Sequence, residues 1–194
     1  MPQIENDAPS NAAPDPNRNT ALLIIDMISC WDFVDGDRLL PFAAQLAPQV
    51  ATLKRLCTMR GIPTIYCNDN SGRWRSDRRA LVDGVLQAGG QGAEIARLLL
   101  PEADDYFVLK PMHSAFYATP LELLLKHLRI ERIVLAGVSS DQCIMATAAE
   151  AKMRELDVVV PCDAVATQST ARNEAALLQF RETHGIPTPT VLEF

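Results

Sequence analysis

Short apolar runs alternate with longer segments of helical spacing along most of the chain. Residues 21–25 form one continuous apolar run, and mainly apolar segments that also predict strands lie at 62–67, 106–109, 132–136 and 157–160. Between the first two runs, apolar residues recur every three or four positions over 39–60, which predicts a helix that ends at Gly61. Uninterrupted apolar runs are typical of strands whose two faces are both buried.

The alternation continues towards the carboxyl end. Further helices are predicted over 81–86, 93–100 and 120–128, from the fourth strand to 156, and over 170–184, with a sixth strand over 189–192. Strands separated by helices pair in parallel through right-handed crossovers. The pattern therefore predicts an α/β fold, a three-layer α/β/α sandwich around a mainly parallel, Rossmann-like six-stranded sheet.

The first 19 residues differ from the rest. They contain four prolines and almost no large apolar side chain, so they cannot bury enough surface to offset the entropy cost of ordering. We predict a flexible tail over 1–19 and a single domain over 20–194. The tail lacks the basic start and apolar stretch of a secretory signal.

Charge and cysteine content narrow the possible partners and the location. The chain has 18 Lys and Arg against 24 Asp and Glu, a net charge of −6, so it lacks the positive field that nucleic acids or anionic membranes attract. The five cysteines are an odd number, and none forms a Cys-x-x-Cys pair. We therefore expect a reducing, cytoplasmic location and a small-molecule substrate, with no nucleic-acid or membrane partner.

Three reactive side chains stand where predicted strands end. Asp26 follows the first strand, Lys110 follows the third, and Cys143 opens the helix after the fourth. Each is separately compatible with capping, solvation or packing. Sites in parallel sheets lie outside the carboxyl ends of the strands, so the convergence of the three predicts an active site.

The chemistry of the three side chains fits nucleophilic catalysis. A helix amino terminus and the Lys110 cation would lower the pKa of the Cys143 thiol. Asp26 could accept the thiol proton and later return it to a leaving group. The turn at 137–143 offers backbone N–H groups of the kind that bind an oxyanion.

Three segments in this order resemble one known family. They are ALLIIDM at 21–27, KPMHSAFYAT at 110–119 and GVSSDQCI at 137–144, and shorter matches follow at 147–151 and 161–164. Over 20–194 the chain resembles the isochorismatase-like cysteine hydrolase superfamily, which includes nicotinamidases and N-carbamoylsarcosine amidases.

The resemblance implies a role for each matching residue. Asp26 matches the general base, Lys110 the catalytic lysine and Cys143 the nucleophile. It also implies a cis peptide between Val138 and Ser139, an oxyanion hole formed by the N–H groups of Ser139 and Cys143, and a homo-oligomer.

Departures from the family narrow the chemistry. Nicotinamidases carry an Asp-x-His pair and a further histidine that bind a metal, whereas residues 68–74 contain no histidine, so we expect neither a metal site nor a cofactor. The presence of Cys143 favours cleavage of a small amide or related C–N bond through a thioester. Two alternatives remain, an isochorismate-type vinyl-ether hydrolase and a non-catalytic or redox-sensing protein on the same scaffold.

Four more residues are candidates for binding the substrate. Asn70 and Trp74 follow the second strand, and His113 and Phe116 follow the third. Packing or loop roles are equally open for them, and His113 is also a candidate proton carrier beside Cys143. The remaining cysteines, in apolar surroundings, are interpreted as packing residues.

Overall fold

The computed structural model describes residues 19–194, so all but the last residue of the predicted tail lies outside the described residues. The elements in chain order are β1 (Thr20–Ile25), α1 (Gly36–Met59), β2 (Thr64–Asp69), α2 (Arg78–Ala88), α3 (Gly90–Leu98), β3 (Tyr106–Lys110), α4 (Leu121–His127), β4 (Arg132–Val138), a π-helical turn (Ser140–Ile144), α5 (Met145–Met153), β5 (Asp157–Val159), β6 (Val165–Ala166) and α6 (Thr170–Glu182).

These strands form one parallel sheet in the order β3-β2-β1-β4-β5, and β6 pairs with the carboxyl end of β4. Helices cover both faces, with α1 and α3 packed on one side and α4, α5 and α6 on the other. The predicted three-layer α/β/α sandwich with a six-stranded sheet is confirmed.

The centre of the sheet follows directly from the apolar runs. Every residue of β1 is buried, and its side chains alternate between the two faces. Leu22 and Ile24 enter the cluster under α1, whereas Leu23 and Ile25 enter the cluster under α5 and α6. A strand that fills two cores in this way is apolar along its length, and in β1 the polar residues stand at its ends, Thr20 at the start and Asp26 directly after it.

The sixth strand was predicted in the wrong place. It is β6, while residues 189–192 form no strand. The segment does run beside the chain after β5, where Pro187 and Pro189 accept hydrogen bonds from the N–H groups of Val160 and Cys162 at 3.1 and 2.8 Å. The prolines have no N–H group to donate in return, so a ladder cannot continue.

Helix boundaries differ from prediction by a few residues, as at α1, which begins at Gly36 instead of 39. The larger difference lies after β4, where the predicted helix opens with a π-helical turn before α5. Across the described residues, every helix is too short or too polar to cross a membrane.

Candidate active site

The strand order brings the three predicted residues to one edge of the sheet. Asp26 directly follows β1, Lys110 ends β3, and Cys143 lies in the π-helical turn after β4. Because β2 separates β3 from β1, the Lys110 side chain passes the end of β2 to reach the centre of the sheet. The cluster therefore depends on all four of these strands.

Lys110 connects the other two residues. Its side chain is fully buried, and Nζ lies 2.8 Å from Asp26 Oδ2 and 3.5 Å from Cys143 Sγ. Nζ also donates to the Met112 carbonyl oxygen at 3.3 Å. Burial acts to lower the pKa of Lys110, but Asp26 and Cys143 outweigh it and raise the pKa overall, so the ammonium keeps its charge.

The Asp26 carboxylate is held from both sides. Oδ1 accepts the backbone N–H of Asp69 at 2.7 Å, while Oδ2 faces the Lys110 ammonium. The Asp69 carboxylate adds a further negative charge, with Oδ2 at 3.7 Å from Lys110 Nζ. The sequence analysis missed Asp69, although its place at the end of β2 was the available signal.

The pKa of the Cys143 thiol shifts in the direction opposite to the one expected from the sequence. Burial, followed by the Asp26 carboxylate, raises the pKa of Cys143, and the opposing effect of Lys110 is too small to reverse this. The expected net lowering of the pKa is therefore not found. The thiol is protonated at neutral pH, and the nearby Asp26 carboxylate can accept its proton.

The segment that carries Cys143 is tightly anchored. The peptide bond between Val138 and Ser139 is cis, and the Ser139 carbonyl accepts the N–H groups of Gln142 and Ile144, both at 3.1 Å. Thr147 Oγ1 donates to the Cys143 carbonyl at 2.7 Å. These bonds fix the backbone around the thiol.

Asp141 connects the π-helical turn to α6 and to Thr167, the residue that directly follows β6. Its Oδ2 accepts from Arg172 Nε at 2.8 Å, and its Oδ1 accepts from the buried Thr167 hydroxyl at 2.7 Å. The two oxygens of Asp141 thus each accept a hydrogen bond, and together they attach the π-helical turn to α6 and to the residue that follows β6.

A cavity of about 650 Å³ opens onto this cluster. Asp26, Asp69, His113 and Cys143 are among the residues that line it, together with Ser139. His113 Nδ1 lies 3.8 Å from Cys143 Sγ. The volume falls in the range of sites for small organic ligands.

Three of the four predicted binding residues lie outside this cavity; His113 alone lines it. Phe116 is buried in the core, with the Arg154 guanidinium 4.6 Å from its ring centroid. Asn70 shapes its own loop, accepting the Gly72 N–H at 2.9 Å, and Trp74 is 79% exposed beside a separate shallow depression. Whether a loop residue lines the cavity depends on the direction of its side chain, and the spacing of residues along the sequence does not predict that direction.

Metal-ligating side chains are dispersed through the described residues. Over 19–194, no three His, Cys, Asp or Glu residues come together in a way that could hold a metal ion. The polar side chains nearest to the Cys143 thiol that the contacts describe are those of Asp26, Lys110 and His113.

Comparisons with known proteins identify the family that the chain resembles. The model of the isochorismatase domain family matches residues 20–190. The uncharacterized isochorismatase family protein YaaI of Bacillus subtilis (strain 168) is 35% identical over 157 residues, covering 81% of this chain and 86% of the relative. The probable inactive nicotinamidase At3g16190 of Arabidopsis thaliana is 31% identical over 189 residues, covering 91% and 95%.

A solved structure supports the same grouping at the level of the fold. The N-carbamoylsarcosine amidase of Thermoplasma acidophilum superposes with a TM-score of 0.69 at 24% identity, over 91% of this chain and 98% of that chain. The family match over residues 20–190 and the 35% identity to YaaI mean that the chain belongs to the isochorismatase family of hydrolases.

Proposed function

We propose that this chain hydrolyses a small amide or related C–N bond through a thioester on Cys143. The observation that carries the proposal is the contact of one buried ammonium, Lys110 Nζ, with both Asp26 Oδ2 at 2.8 Å and Cys143 Sγ at 3.5 Å, at the wall of a ligand-sized cavity. A nucleophile, a proton acceptor and a fixed cation are the groups that acyl transfer requires.

The first half of the reaction forms the thioester. Asp26 takes the proton of the Cys143 thiol as sulfur attacks the carbonyl carbon, which turns the carbonyl oxygen into an oxyanion. The backbone N–H groups of Ser139 and Cys143 are the donors proposed to bind it. Collapse of this intermediate breaks the C–N bond, and protonated Asp26 gives its proton to the departing nitrogen.

The second half releases the acid. Asp26, again a carboxylate, removes a proton from a water molecule that attacks the thioester carbonyl. The tetrahedral intermediate expels the Cys143 sulfur, which regains a proton from Asp26, and the carboxylic acid leaves. The net change is hydrolysis of one C–N bond by one water molecule.

Lys110 contributes charge and position instead of a proton. Its raised pKa keeps it an ammonium throughout, so it stabilises the Asp26 carboxylate and then the sulfur anion as charge moves between them. Burial and the Asp26 carboxylate raise the pKa of Cys143, so transfer of the thiol proton to Asp26 accompanies the attack of the sulfur.

The test combines a substrate screen with detection of the intermediate. Ammonia release from a panel of small carboxamides identifies a substrate, and intact mass after rapid acid quenching then measures an acyl adduct on the protein. Cys143→Ala is expected to fold normally and to lose turnover and adduct together. Cys162→Ala is the matched control, because Cys162 is also partly exposed but lies outside the cavity.

The alternative chemistry predicts a different result. Vinyl-ether hydrolysis with Asp26 as the acid leaves Cys143 without a covalent role. Full activity of Cys143→Ala on isochorismate, with none of the carboxamides cleaved by the unaltered protein, would replace the proposal by that alternative.

A further inference from the structure

The cavity in front of Cys143 carries an excess of carboxylates. Asp26, Asp32, Asp35 and Asp69 line it, whereas Arg73 is the one Lys or Arg among its described lining residues. The Lys110 ammonium is committed to Asp26 and has no exposed surface. A ligand that enters the cavity therefore meets a wall with net negative charge.

The two carboxylates at the outer part of this wall are weakly compensated. Asp32 lies 3.9 Å from Arg73, with side chains 64% and 61% exposed. Asp35 lies 3.5 Å from Arg38, again between exposed side chains. Pairs exposed to this degree contribute little, so both carboxylates remain available to a cation that enters the cavity.

Aromatic rings accompany these carboxylates. Trp31 and Phe33, which flank Asp32 in the chain, line the same cavity with their ring centroids 6.1 Å apart. Trp31 is buried and Phe33 is half exposed. Aromatic faces next to carboxylates are the combination that attracts organic cations, since both present negative electrostatic potential.

A second, independent observation comes from the inner wall. Asn68 is 2% exposed and lines the cavity, and its Nδ2 donates to the Ile28 carbonyl at 2.9 Å. That bond fixes the orientation of the amide and leaves Oδ1 buried, with no donor anywhere in residues 19–194. A buried acceptor of this kind is costly unless a ligand supplies an N–H.

We propose that the substrate is a cationic amide, an inference that rests on the thioester chemistry proposed above. Its reacting carbonyl lies at Cys143 and one of its N–H groups donates to Asn68 Oδ1. Its ammonium or guanidinium group lies against the loop formed by residues 31–35. A carboxylate in that position would face Asp32 and Asp35 and be repelled.

The first experiment compares three amides that share a four-methylene spacer. These are 5-aminopentanamide, hexanamide and adipic acid monoamide, which place a cation, a neutral methyl group and an anion at the remote end. We expect kcat/KM for ammonia release to fall by about tenfold at each step at low ionic strength. Salt at about 1 M should narrow the differences, because the remote charges are partly exposed.

A matched pair of variants assigns the selectivity to the loop. Asp32→Asn should reduce the ratio of kcat/KM for 5-aminopentanamide to kcat/KM for hexanamide severalfold, because it removes one of the two carboxylates that face the cation. Asp104→Asn removes the same charge from an exposed position outside the cavity and should leave the order and the ratios unchanged. Equal effects of both variants would mean that overall protein charge, and not the loop, sets the preference, which overturns the proposal.

A second readout needs no turnover. Cys143 is labelled with a trimethylammonium-ethyl and a sulfonato-ethyl methanethiosulfonate, peptide mapping follows the rates, and 2-mercaptoethanol corrects for intrinsic reactivity. We expect the cationic reagent to react about tenfold faster with Cys143. Such a preference without hydrolysis of any amide would refute the proposed function alone. Amide hydrolysis with no charge preference, or with the anion favoured through Arg73, would refute the cationic substrate alone.

Discussion

Replacing Lys110 by methionine tests the electrostatic core of the site. The change keeps most of the apolar length of the side chain and removes the ammonium, which is fully buried. Asp26 then keeps the hydrogen bond from the Asp69 N–H at 2.7 Å and its contact with the Cys143 thiol, on a side chain that is 16% exposed. The variant thus leaves a nearly buried carboxylate without its counter-charge.

The structure allows the cost to be bounded. Removing one partner of a buried ion pair costs about 3–5 kcal/mol, and the retained N–H bond and partial exposure of Asp26 place this case near about 3 kcal/mol. A domain of this size has about 5–15 kcal/mol of stability, so Lys110→Met should still fold. Its melting temperature should fall by about 6–12 °C.

The pH range of this effect follows from the direction of the pKa shift. Lys110 has a pKa above its ordinary value, so its contribution to stability is fully present below the unfolded pKa of about 10.4 and is lost only as pH rises through the higher folded value. The deficit of Lys110→Met should therefore appear in full at pH 7.

Denaturant unfolding followed by circular dichroism measures this deficit at pH 7. The double variant Asp26→Asn/Lys110→Met removes both charges and should regain most of the lost stability, which gives a large coupling free energy in the double-mutant cycle. A loss below about 1 kcal/mol for Lys110→Met, or a double variant no more stable than the single one, would refute the electrostatic reasoning.

Three other predictions concern single residues, some beside the site and some elsewhere in the fold. Burial raises the pKa of Cys57 to about 12, so its unfolded thiol ionises first and the free energy of unfolding should fall by about 1.4 kcal/mol per pH unit above pH 8.5 for each such thiol; Cys57→Ala should make the measured slope of stability against pH shallower. Asp141→Asn should cost about 1 kcal/mol and lower kcat more than it raises KM, because it loosens the turn that carries the nucleophile; unchanged steady-state kinetics would contradict this. Gly137→Ala should prevent folding and so abolish the cooperative melting transition, because at φ +112 its Cβ would overlap the Ile25 carbonyl oxygen. Gly84→Ala, in open space on α2, should instead stabilise the chain by about 0.5–1 kcal/mol in the same melting assay.

The strands could be predicted where both of their faces are buried, because such strands are apolar at nearly every position. β1 and β4 are apolar at every position after their first residue, so their positions were clear. β6 has only two residues, Val165 and Ala166, and two residues carry no periodic signal. The segment over 189–192 ends in Val191 and Leu192, but its pairing with the chain after β5 is limited by prolines that have no N–H group to donate.

The predicted catalytic residues meet in space because strand ends converge, which chain order and parallel pairing are enough to predict. The binding residues depend instead on loop conformation. Phe116 lies six residues beyond the end of β3 and turns into the core, while Trp74 turns outwards. The sign of the Cys143 pKa shift could not be read from sequence either, because it depends on how deeply the thiol is buried relative to its distance from Lys110.

The position of Lys110 on β3 places the ammonium of the proposed catalytic site on an edge strand of the sheet. β3 is an edge strand, bonded only to β2 in the sheet, and its first residue, Tyr106, is 36% exposed. Local unfolding begins in such poorly covered elements, at a lower free energy than global unfolding. Detachment of this single edge would carry the ammonium away from Asp26 and Cys143 while the rest of the sheet stayed intact. Turnover would then be lost at denaturant concentrations that leave the helical circular-dichroism signal unchanged, so loss of activity would report local unfolding of β3 before global unfolding.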